Sequence, residues 1–397
     1  MQIKHGLISC DSHGQLGRDA FTSRMSKEKW GDRIPQVVAV PNDKGATIER
    51  WSLNGKVSGP GPFAGGIVNC PAAMGDPTRR THPQRWDEVP GIVYDPAQRL
   101  TALDEDGVDA EVLFPNNPTQ NFGFPGDADL ELDCVHAYND ALNDYRRYSD
   151  RYVPLALIPY KSPIDVIVKE IREAVKNGAG GVVMLTEPSI TIPGVKPTAD
   201  PFWDPLWAAC EELEVPMCWH GSGGLSKELA VPLWEGYSRH ATHTAMTARL
   251  CVTPSQMIPN LLFSGILERY PRLNWMLGET GMGWLAYVLE SCDHEWERRQ
   301  LWRDGFETRP SEVFNRQIYG DFWFEKAGIE VRDVIGLDNI MWESDYPHIT
   351  TTYPDSKAWV KRVLEGVPED EQAKMLWKNA ARLFHLNVES VAPGAPA

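Results

Sequence analysis

The sequence alternates eight times between a short apolar run and a helical pattern, and this alternation limits the fold more than any other feature. Alternating strand and helix units predict a parallel sheet, and eight of them favour a closed (β/α)8 TIM barrel over an open sheet. The 397 residues exceed the roughly 250 that such a barrel needs. The predicted strands are Leu7 to Cys10, Ala110 to Pro115, Val153 to Pro159, Gly181 to Leu185, Pro216 to His220, Asn274 to Glu279, Ile318 to Trp323 and Ile340 to Asp345. The predicted helices are Pro96 to Asp106, Leu130 to Asp150, Pro163 to Asn177, Pro201 to Glu214, His240 to Tyr270, Trp284 to Arg303, Ile329 to Ile335, Ser356 to Glu365 and Glu369 to Phe384.

One long segment interrupts the alternation. Residues 14–94 are rich in Gly, Pro, Asn and Asp and have little periodicity, which predicts an irregular insertion after the first strand. Because the insertion leaves the end of that strand, we expect it to form a lid over a site or an arm at an interface; a poorly ordered excursion is the alternative. Residues 1–390 are predicted to form a single domain, and residues 391–397 a disordered tail.

Charge and composition exclude several classes of partner. The net charge of −16 disfavours nucleic acid and anionic membranes. The chain has no run of about 18 apolar residues and no signal-peptide pattern at its start, so we expect a cytoplasmic protein. Its seven cysteines show no Cys-x-x-Cys pair, which favours buried, reduced thiols.

Four of the predicted strands end in side chains that can bind a metal. Asp345 ends the eighth strand, His220 the fifth and Glu279 the sixth, while Asp11 and His13 lie two residues apart at the first and so share a face. The carboxyl ends of barrel strands meet at one face, so these side chains are expected to converge. Imidazole and carboxylate together suit Zn, Mn or Fe(II). For Asp345 alone, a turn or helix-capping aspartate is the alternative.

Two further histidines raise the question of a second metal. His240 and His243 lie three residues apart on a predicted helix and share one face. With Glu279 they are candidate ligands of a second ion, and a solvated helix face is the alternative. Glu279 could instead move a proton, if burial raises its pKa, or pair with an arginine in a structural role.

Five segments resemble the amidohydrolase-related superfamily, which includes the aminocarboxymuconate-semialdehyde decarboxylase-like enzymes. They are Gly107 to Pro115, Phe202 to Trp207, Gly265 to Leu273, Ser344 to His348 and Asn379 to Phe384. The resemblance implies a metal-dependent barrel that decarboxylates or hydrolyses small acids. It implies that Asp11, His13, His220 and Asp345 bind one divalent cation, with zinc preferred and manganese or iron as alternatives.

The chain departs from the family pattern at two positions. Many members carry His-x-His on the first strand, but here Gln15 follows two residues after His13, and Asp11-Ser12-His13 is more similar to the acid-x-His motif of the decarboxylase branch. Glu279 stands where many relatives have a histidine. With a second ion, the site would resemble the dinuclear branch that includes 2-aminoisobutyrate hydroxylase.

We therefore expect a metal-dependent hydrolase or decarboxylase (carboxy-lyase) that acts on a small carboxylated compound. Asp345 and Glu279 are the expected catalytic residues, and His348, Arg18 and Trp30 the expected substrate contacts. One alternative is a subunit of a dinuclear non-haem metal oxygenase. Another is an inactive barrel that serves as a structural partner. The expected assembly is a homo-oligomer or a hetero-oligomer with a related barrel subunit.

Overall fold

The computed structural model describes the chain except for residues 43, 58–82, 117, 120–121, 222–240, 242–243, 246 and 393–397. Its strands are β1 Gln2–Ile3, β2 Ile8–Gly14, β3 Gln36–Pro41, β4 Thr47–Leu53, β5 Lys56–Val57, β6 Ala110–Pro115, β7 Tyr152–Ala156, β8 Gly181–Val183, β9 Met217–His220, β10 Trp275–Gly278, β11 Ile318–Phe322, β12 Ile340–Trp342 and β13 Ser390–Val391.

The α-helices in the described residues mostly alternate with these strands. They are α1 Lys27–Trp30, α2 Pro96–Asp106, α3 Ala128–Tyr148, α4 Ile164–Lys176, α5 Pro188–Thr191, α6 Asp204–Glu212, α7 Val252–Leu262, α8 Ile266–Arg269, α9 Leu285–Arg299, α10 Pro310–Gln317, α11 Ala327–Glu330, α12 Arg332–Ile335, α13 Ser356–Val363, α14 Glu369–Ala373 and α15 Asn379–Leu383. Short 3-10 turns lie at Gly31–Arg33, Trp86–Glu88, Gly91–Val93, Pro201–Trp203, Leu301–Asp304 and Leu337–Asn339, and a π-helical turn at Lys374–Lys378.

The eight predicted barrel strands all form, in one parallel sheet of order β12-β11-β10-β9-β8-β7-β6-β2. Every residue of these strands is buried, as expected for a parallel sheet covered on both sides. Beyond the end of β12, the Asp345 N–H donates to the Asp11 carbonyl at 3.0 Å and the His13 N–H to the Tyr346 carbonyl at 2.7 Å. These bonds join the first and last strands, so the predicted (β/α)8 barrel is confirmed as a nearly closed barrel.

The prediction of a wholly irregular insertion is wrong for its first part. Strands β3, β4 and β5 form an antiparallel sheet, and β3 and β4 are joined by a tight turn in which Gly45 has a φ of 74°. The apolar run Val37 to Val40 is long enough to pair, and a glycine turn after it is typical of a hairpin. Trp51 of β4 packs edge-to-face on Phe21, with ring centroids 6.1 Å apart.

The long helix predicted over His240 to Tyr270 is also wrong in its described part. The chain forms α7, which ends at Leu262, and α8, which begins after Gly265, a residue with a φ of 73°. Likewise, Ile329 to Ile335 is split between α11 and α12, and the last predicted helix contains the π-helical turn. At the predicted tail, β13 pairs in parallel with β1, so residue 391 is ordered by the sheet, while 393–397 lie outside the described residues. Among the described helices, none has the length and apolar character to span a membrane.

Candidate metal centre

The first barrel strand presents two metal-competent side chains from one buried face. Asp11 and His13 of β2 are 0% and 3% exposed. The pairing of β2 with β6 shifts register between Ser9 and Ser12, and such bulges turn side chains toward sites at barrel rims. The Ser9 hydroxyl fixes the bulge because it donates to the Asp11 carbonyl at 2.7 Å and accepts the Ser344 N–H at 2.9 Å.

The side chains predicted from four different strands meet at the carboxyl end of the barrel. His13 Nε2 lies 3.4 Å from Asp11 Oδ1, 3.3 Å from Asp345 Oδ1 and 3.2 Å from His220 Nε2. His220 Nε2 lies 3.6 Å from Asp11 Oδ2 and 3.2 Å from Glu279 Oε2. The structure therefore brings together Asp11, His13, His220, Asp345 and Glu279, and the side chain beside the Glu279 carboxyl group among the described residues is a histidine and not an arginine.

Two of these residues have unusual backbone conformations. Glu279 and Asp345 have φ values of 52° and 56°, in the left-handed region that residues other than glycine rarely adopt. Such conformations cost about 1–3 kcal/mol each and persist only where the surroundings hold them. For Asp345 the Asp11 carbonyl accepts its N–H. The strain at both strand ends aims the carboxylates at the histidines.

Burial dominates the electrostatics of the cluster. Burial, followed by the charges of Asp345, Asp321 and Glu279, raises the pKa of Asp11 well above its usual value. Burial and then His348 lower the pKa of His13 to about 4, and burial and then His13 lower the pKa of His220. Both imidazoles are therefore neutral near pH 7, which is the form that binds metals.

The donor set fits a divalent cation. Neither oxygen of the fully buried Asp11 carboxylate has a hydrogen-bond partner among the described residues. An unpaired buried carboxylate is costly unless a cation compensates it. Ligand atoms around a tetrahedral ion with bonds of about 2.0–2.2 Å lie about 3.3–3.6 Å apart. Asp11, His13 and His220 place ligand atoms within 4.8 Å of one another, with spacings of 3.2, 3.4 and 3.6 Å, and Asp345 Oδ1 lies 3.3 Å from His13 Nε2.

Two carboxylates that sequence reasoning missed lie behind Glu279. The Glu279 N–H donates to Asp321 Oδ2 at 2.9 Å and to Glu343 Oε2 at 3.1 Å, and both acceptors are fully buried. They hold the strained backbone at the end of β10. Asp321 lies inside an apolar strand and Glu343 just before Asp345, so neither stood at a predicted strand end.

Of the three predicted substrate contacts, His348 lies against the cluster, whereas Arg18 and Trp30 make their contacts outside it. His348 Nδ1 lies 2.7 Å from Asp345 Oδ1, and its ring stacks on His13 with centroids 3.8 Å apart. Asn116, also missed, follows β6 and places Nδ2 3.4 Å from His348 Nε2. Its position after a predicted strand was the signal that could have found it. Arg18 instead pairs with Glu49 at 3.0 Å, and Trp30 donates to Asp133 at 2.7 Å, contacts outside the cluster.

The other predicted second-metal ligands, His240 and His243, lie outside the described residues, so the second ion stays a prediction. Gln15 is buried, and its amide nitrogen donates to the Leu16 carbonyl at 3.1 Å. The described contacts of Gln15 thus do not include the cluster.

A model of the family described as Amidohydrolase matches residues 60–386, which is most of the chain. The chain belongs to the amidohydrolase family. The expectation of an amidohydrolase-related enzyme is therefore confirmed. Among curated members, the gamma-resorcylate decarboxylase of Rhizobium radiobacter is 25% identical over 322 residues, covering 76% of this chain and 91% of that protein.

Solved amidohydrolase structures confirm the fold. An amidohydrolase from Mycobacterium avium subsp. paratuberculosis superposes with a TM-score of 0.70 at 20% identity, covering 96% of this chain and 99% of the other. A dihydroxybenzoic acid decarboxylase from Polaromonas, solved with manganese and the inhibitor 2-nitroresorcinol, gives a TM-score of 0.56 at 21% identity, covering 76% and 90%.

A small change beside Asp11 tests the site geometry. Gly278 ends β10, and a Cβ at this position would collide with Asp11 Oδ2 and, less severely, with the Phe114 ring. We expect Gly278→Ala to displace that carboxylate and weaken metal affinity by about 10–100-fold, as displacement of supporting groups does elsewhere. Competition for the metal with a fluorescent chelator would measure this affinity. Gly17→Ala, where a Cβ would make only an ordinary contact, is the control. Equal affinities in the two variants would contradict the proposed position of the metal.

Proposed function

We propose that this chain is a metal-dependent decarboxylase of a small carboxylated aromatic compound, with one divalent cation held by Asp11, His13, His220 and Asp345. The observation that carries the proposal is the approach of these buried side chains to one another: Asp11, His13 and His220 place ligand atoms within 4.8 Å of one another, and neither Asp11 oxygen has a hydrogen-bond partner among the described residues. Zinc suits the mixed nitrogen and oxygen donors, with manganese or iron as alternatives. Family membership and the gamma-resorcylate decarboxylase relatives support the choice of reaction.

The cation would supply positive charge that binds the acidic substrate and stabilises charge developing during bond cleavage. The side chains of this protein carry the other tasks. Burial and the charge of Asp345 raise the pKa of Glu279 well above its usual value, which favours the protonated carboxyl group that a general acid needs. Glu279 would deliver its proton to the ring carbon as the bond between that carbon and the carboxylate breaks. The carboxylate would leave as CO2, and no other atom would be transferred.

His348 and Asn116 place further polar groups beside the proposed metal ligands. The His348 ring is held between Asp345 and His13, and its Nε2 faces the Asn116 amide. A hydroxyl next to the substrate carboxylate could hydrogen-bond with either group, which would orient the ring toward Glu279. We retain Arg18 and Trp30 as proposed contacts only for a substrate that extends to the insertion.

Turnover of 2,6-dihydroxybenzoate, which is gamma-resorcylate, tests the proposal. We expect the metal-loaded enzyme to release CO2 and resorcinol, and a chelator to stop it. Glu279→Gln should lower kcat by about 100-fold or more, since general acids contribute about that much. Glu290→Gln, a change of an exposed glutamate on α9, serves as the control. If enzyme with full metal content turned over no member of a panel of hydroxybenzoates and carboxyvanillates, the decarboxylase assignment would be refuted.

Metal analysis of protein purified without added metal separates this proposal from its rivals. One ion per chain supports the mononuclear decarboxylase or the related hydrolase, and release of a non-CO2 product would identify the hydrolase. Two ions including iron or manganese, with O2 consumption, would instead support the oxygenase and the second site at His240, His243 and Glu279. Activity that needs a second subunit would support the hetero-oligomer over a homo-oligomer.

A further inference from the structure

A second cleft lies at the opposite end of the barrel from the metal centre. It encloses about 760 Å³ between the chain segment that leads into β2 and helix α13. Lys4 and His5 precede β2, whereas Asp11 and His13 lie near its other end. The cleft therefore has its own walls and shares no residue with the metal centre.

The cleft collects positive charge in an acidic protein. Its lining includes four cationic side chains, those of Lys4, Lys357, Lys361 and Arg362, and one carboxylate, that of Glu365, although the chain as a whole carries −16. Within the part of the chain that the structure describes, none of these four cations forms an ion pair, whereas many other surface arginines do, for example Arg172 with Glu212. Unpaired like charges around one cleft repel one another and attract anions.

One of the cations is held in place by its neighbours. The Lys357 side chain lies against Gly107, where any Cβ would collide with it, and places Nζ 3.0 Å from His5 Nδ1. An ammonium group can only donate, so His5 Nδ1 is the acceptor and its ring is neutral. Burial and then Lys357 lower the pKa of His5, in agreement with this assignment.

The backbone on the other side of the cleft is fixed as well. The Asp109 carboxylate accepts the N–H groups of Lys4 at 2.9 Å, His5 at 3.0 Å and Gly6 at 2.7 Å. Because Asp109 is occupied by these bonds, it fixes the turn without pairing with the cations. The backbone of residues 4–6 and the Lys357 side chain are thus preformed, which lowers the entropic cost of binding.

The rest of the lining is apolar. Leu7, Leu364 and Leu376 are all buried, and they form one wall together with Ala358 and Val360. The volume is in the range of about 300–1,000 Å³ that small-molecule sites occupy. We propose that this cleft binds a small organic anion that has an apolar or aromatic body and at least two negative charges. The body would contact the leucine wall, and the charges would lie between Lys357, Lys361 and Arg362.

Titration calorimetry with 1,5-naphthalenedisulfonate on the intact, metal-loaded protein tests this proposal. We expect saturable one-to-one binding that weakens as salt increases. The double variant Lys357→Gln/Lys361→Gln should lose at least about tenfold in affinity. The matched control is Lys169→Gln/Lys176→Gln, two exposed lysines of α4 outside the cleft, which should bind as the wild type does.

Three results would overturn the assignment of the binding site, and a fourth would overturn the role of its apolar wall. The three are no saturable binding to the wild type, equal binding to both double variants, and displacement of the probe by 2,6-dihydroxybenzoate, which would place it at the metal centre. Equal affinity for inorganic sulfate would refute the role of the apolar wall. Thermal midpoints of both variants check that the exposed substitutions leave the fold intact. Because the readout is binding, failure of the decarboxylase proposal would leave this result unaffected.

Discussion

Asp345→Asn is expected to abolish the chemistry of the metal centre while leaving the barrel folded. The change keeps the size of the side chain but removes the negative charge that faces His13 and His348 at 3.3 and 2.7 Å. Substitutions that only disturb the partners of a ligand cost about 10–100-fold in metal affinity or activity, so loss of a ligand should cost more than about 100-fold. Metal content after dialysis and turnover of 2,6-dihydroxybenzoate would measure both effects.

The control for this substitution is Asp338→Asn. Asp338 is an exposed aspartate that pairs with Lys374 at 2.9 Å, and surface pairs of this kind contribute about 0–1 kcal/mol. It should keep its metal, its activity and its thermal midpoint. An Asp345→Asn protein that retained a full complement of metal and normal turnover would refute the assignment of Asp345 as a ligand, whatever the reaction proves to be.

The proximity of the proposed metal ligands could be predicted from the sequence because it follows from the topology of the barrel. Asp11, His220 and Asp345 are each more than 100 residues apart along the chain, yet the ends of parallel strands lie at one face of the barrel. Identifying eight apolar runs therefore places the last polar residue of each run near the others. The rule failed for Asp321, which lies within a strand but still faces the site because barrel interiors receive side chains along the whole strand.

The backbone details could not be predicted in the same way. The left-handed conformations of Glu279 and Asp345 depend on partners from other strands: Asp321 and Glu343 for the first residue, Asp11 for the second. The intrinsic backbone preferences of glutamate and aspartate do not indicate these left-handed conformations. The hairpin of β3 and β4 was missed for the opposite reason, since its local turn signal was present but was outweighed by the glycine and proline content around it.

Arg99→Met is expected to cause the largest loss of stability. The guanidinium of Arg99 in α2 makes two bonds to Glu111 of β6, at 2.6 and 2.9 Å, and both side chains are fully buried. Removing one partner of a buried ion pair leaves the other charge uncompensated, which costs about 3–5 kcal/mol. Urea unfolding followed by tryptophan fluorescence would measure the loss as a lower midpoint.

The double variant Arg99→Met/Glu111→Leu separates the charge effect from the other contacts of Arg99. Replacing both partners removes the buried Glu111 carboxylate that the single variant leaves unpaired, so much of the lost free energy of unfolding should be regained. Recovery should be incomplete because Arg99 also donates to the carbonyls of His13 at 2.9 Å and Tyr346 at 3.2 Å. His13 is itself a proposed metal ligand, and Tyr346 directly follows the proposed ligand Asp345. Weakened metal binding in the double variant, despite restored stability, would therefore show that this buried arginine positions the first and last strands around the metal, whereas wild-type affinity would limit Arg99 to a role in folding.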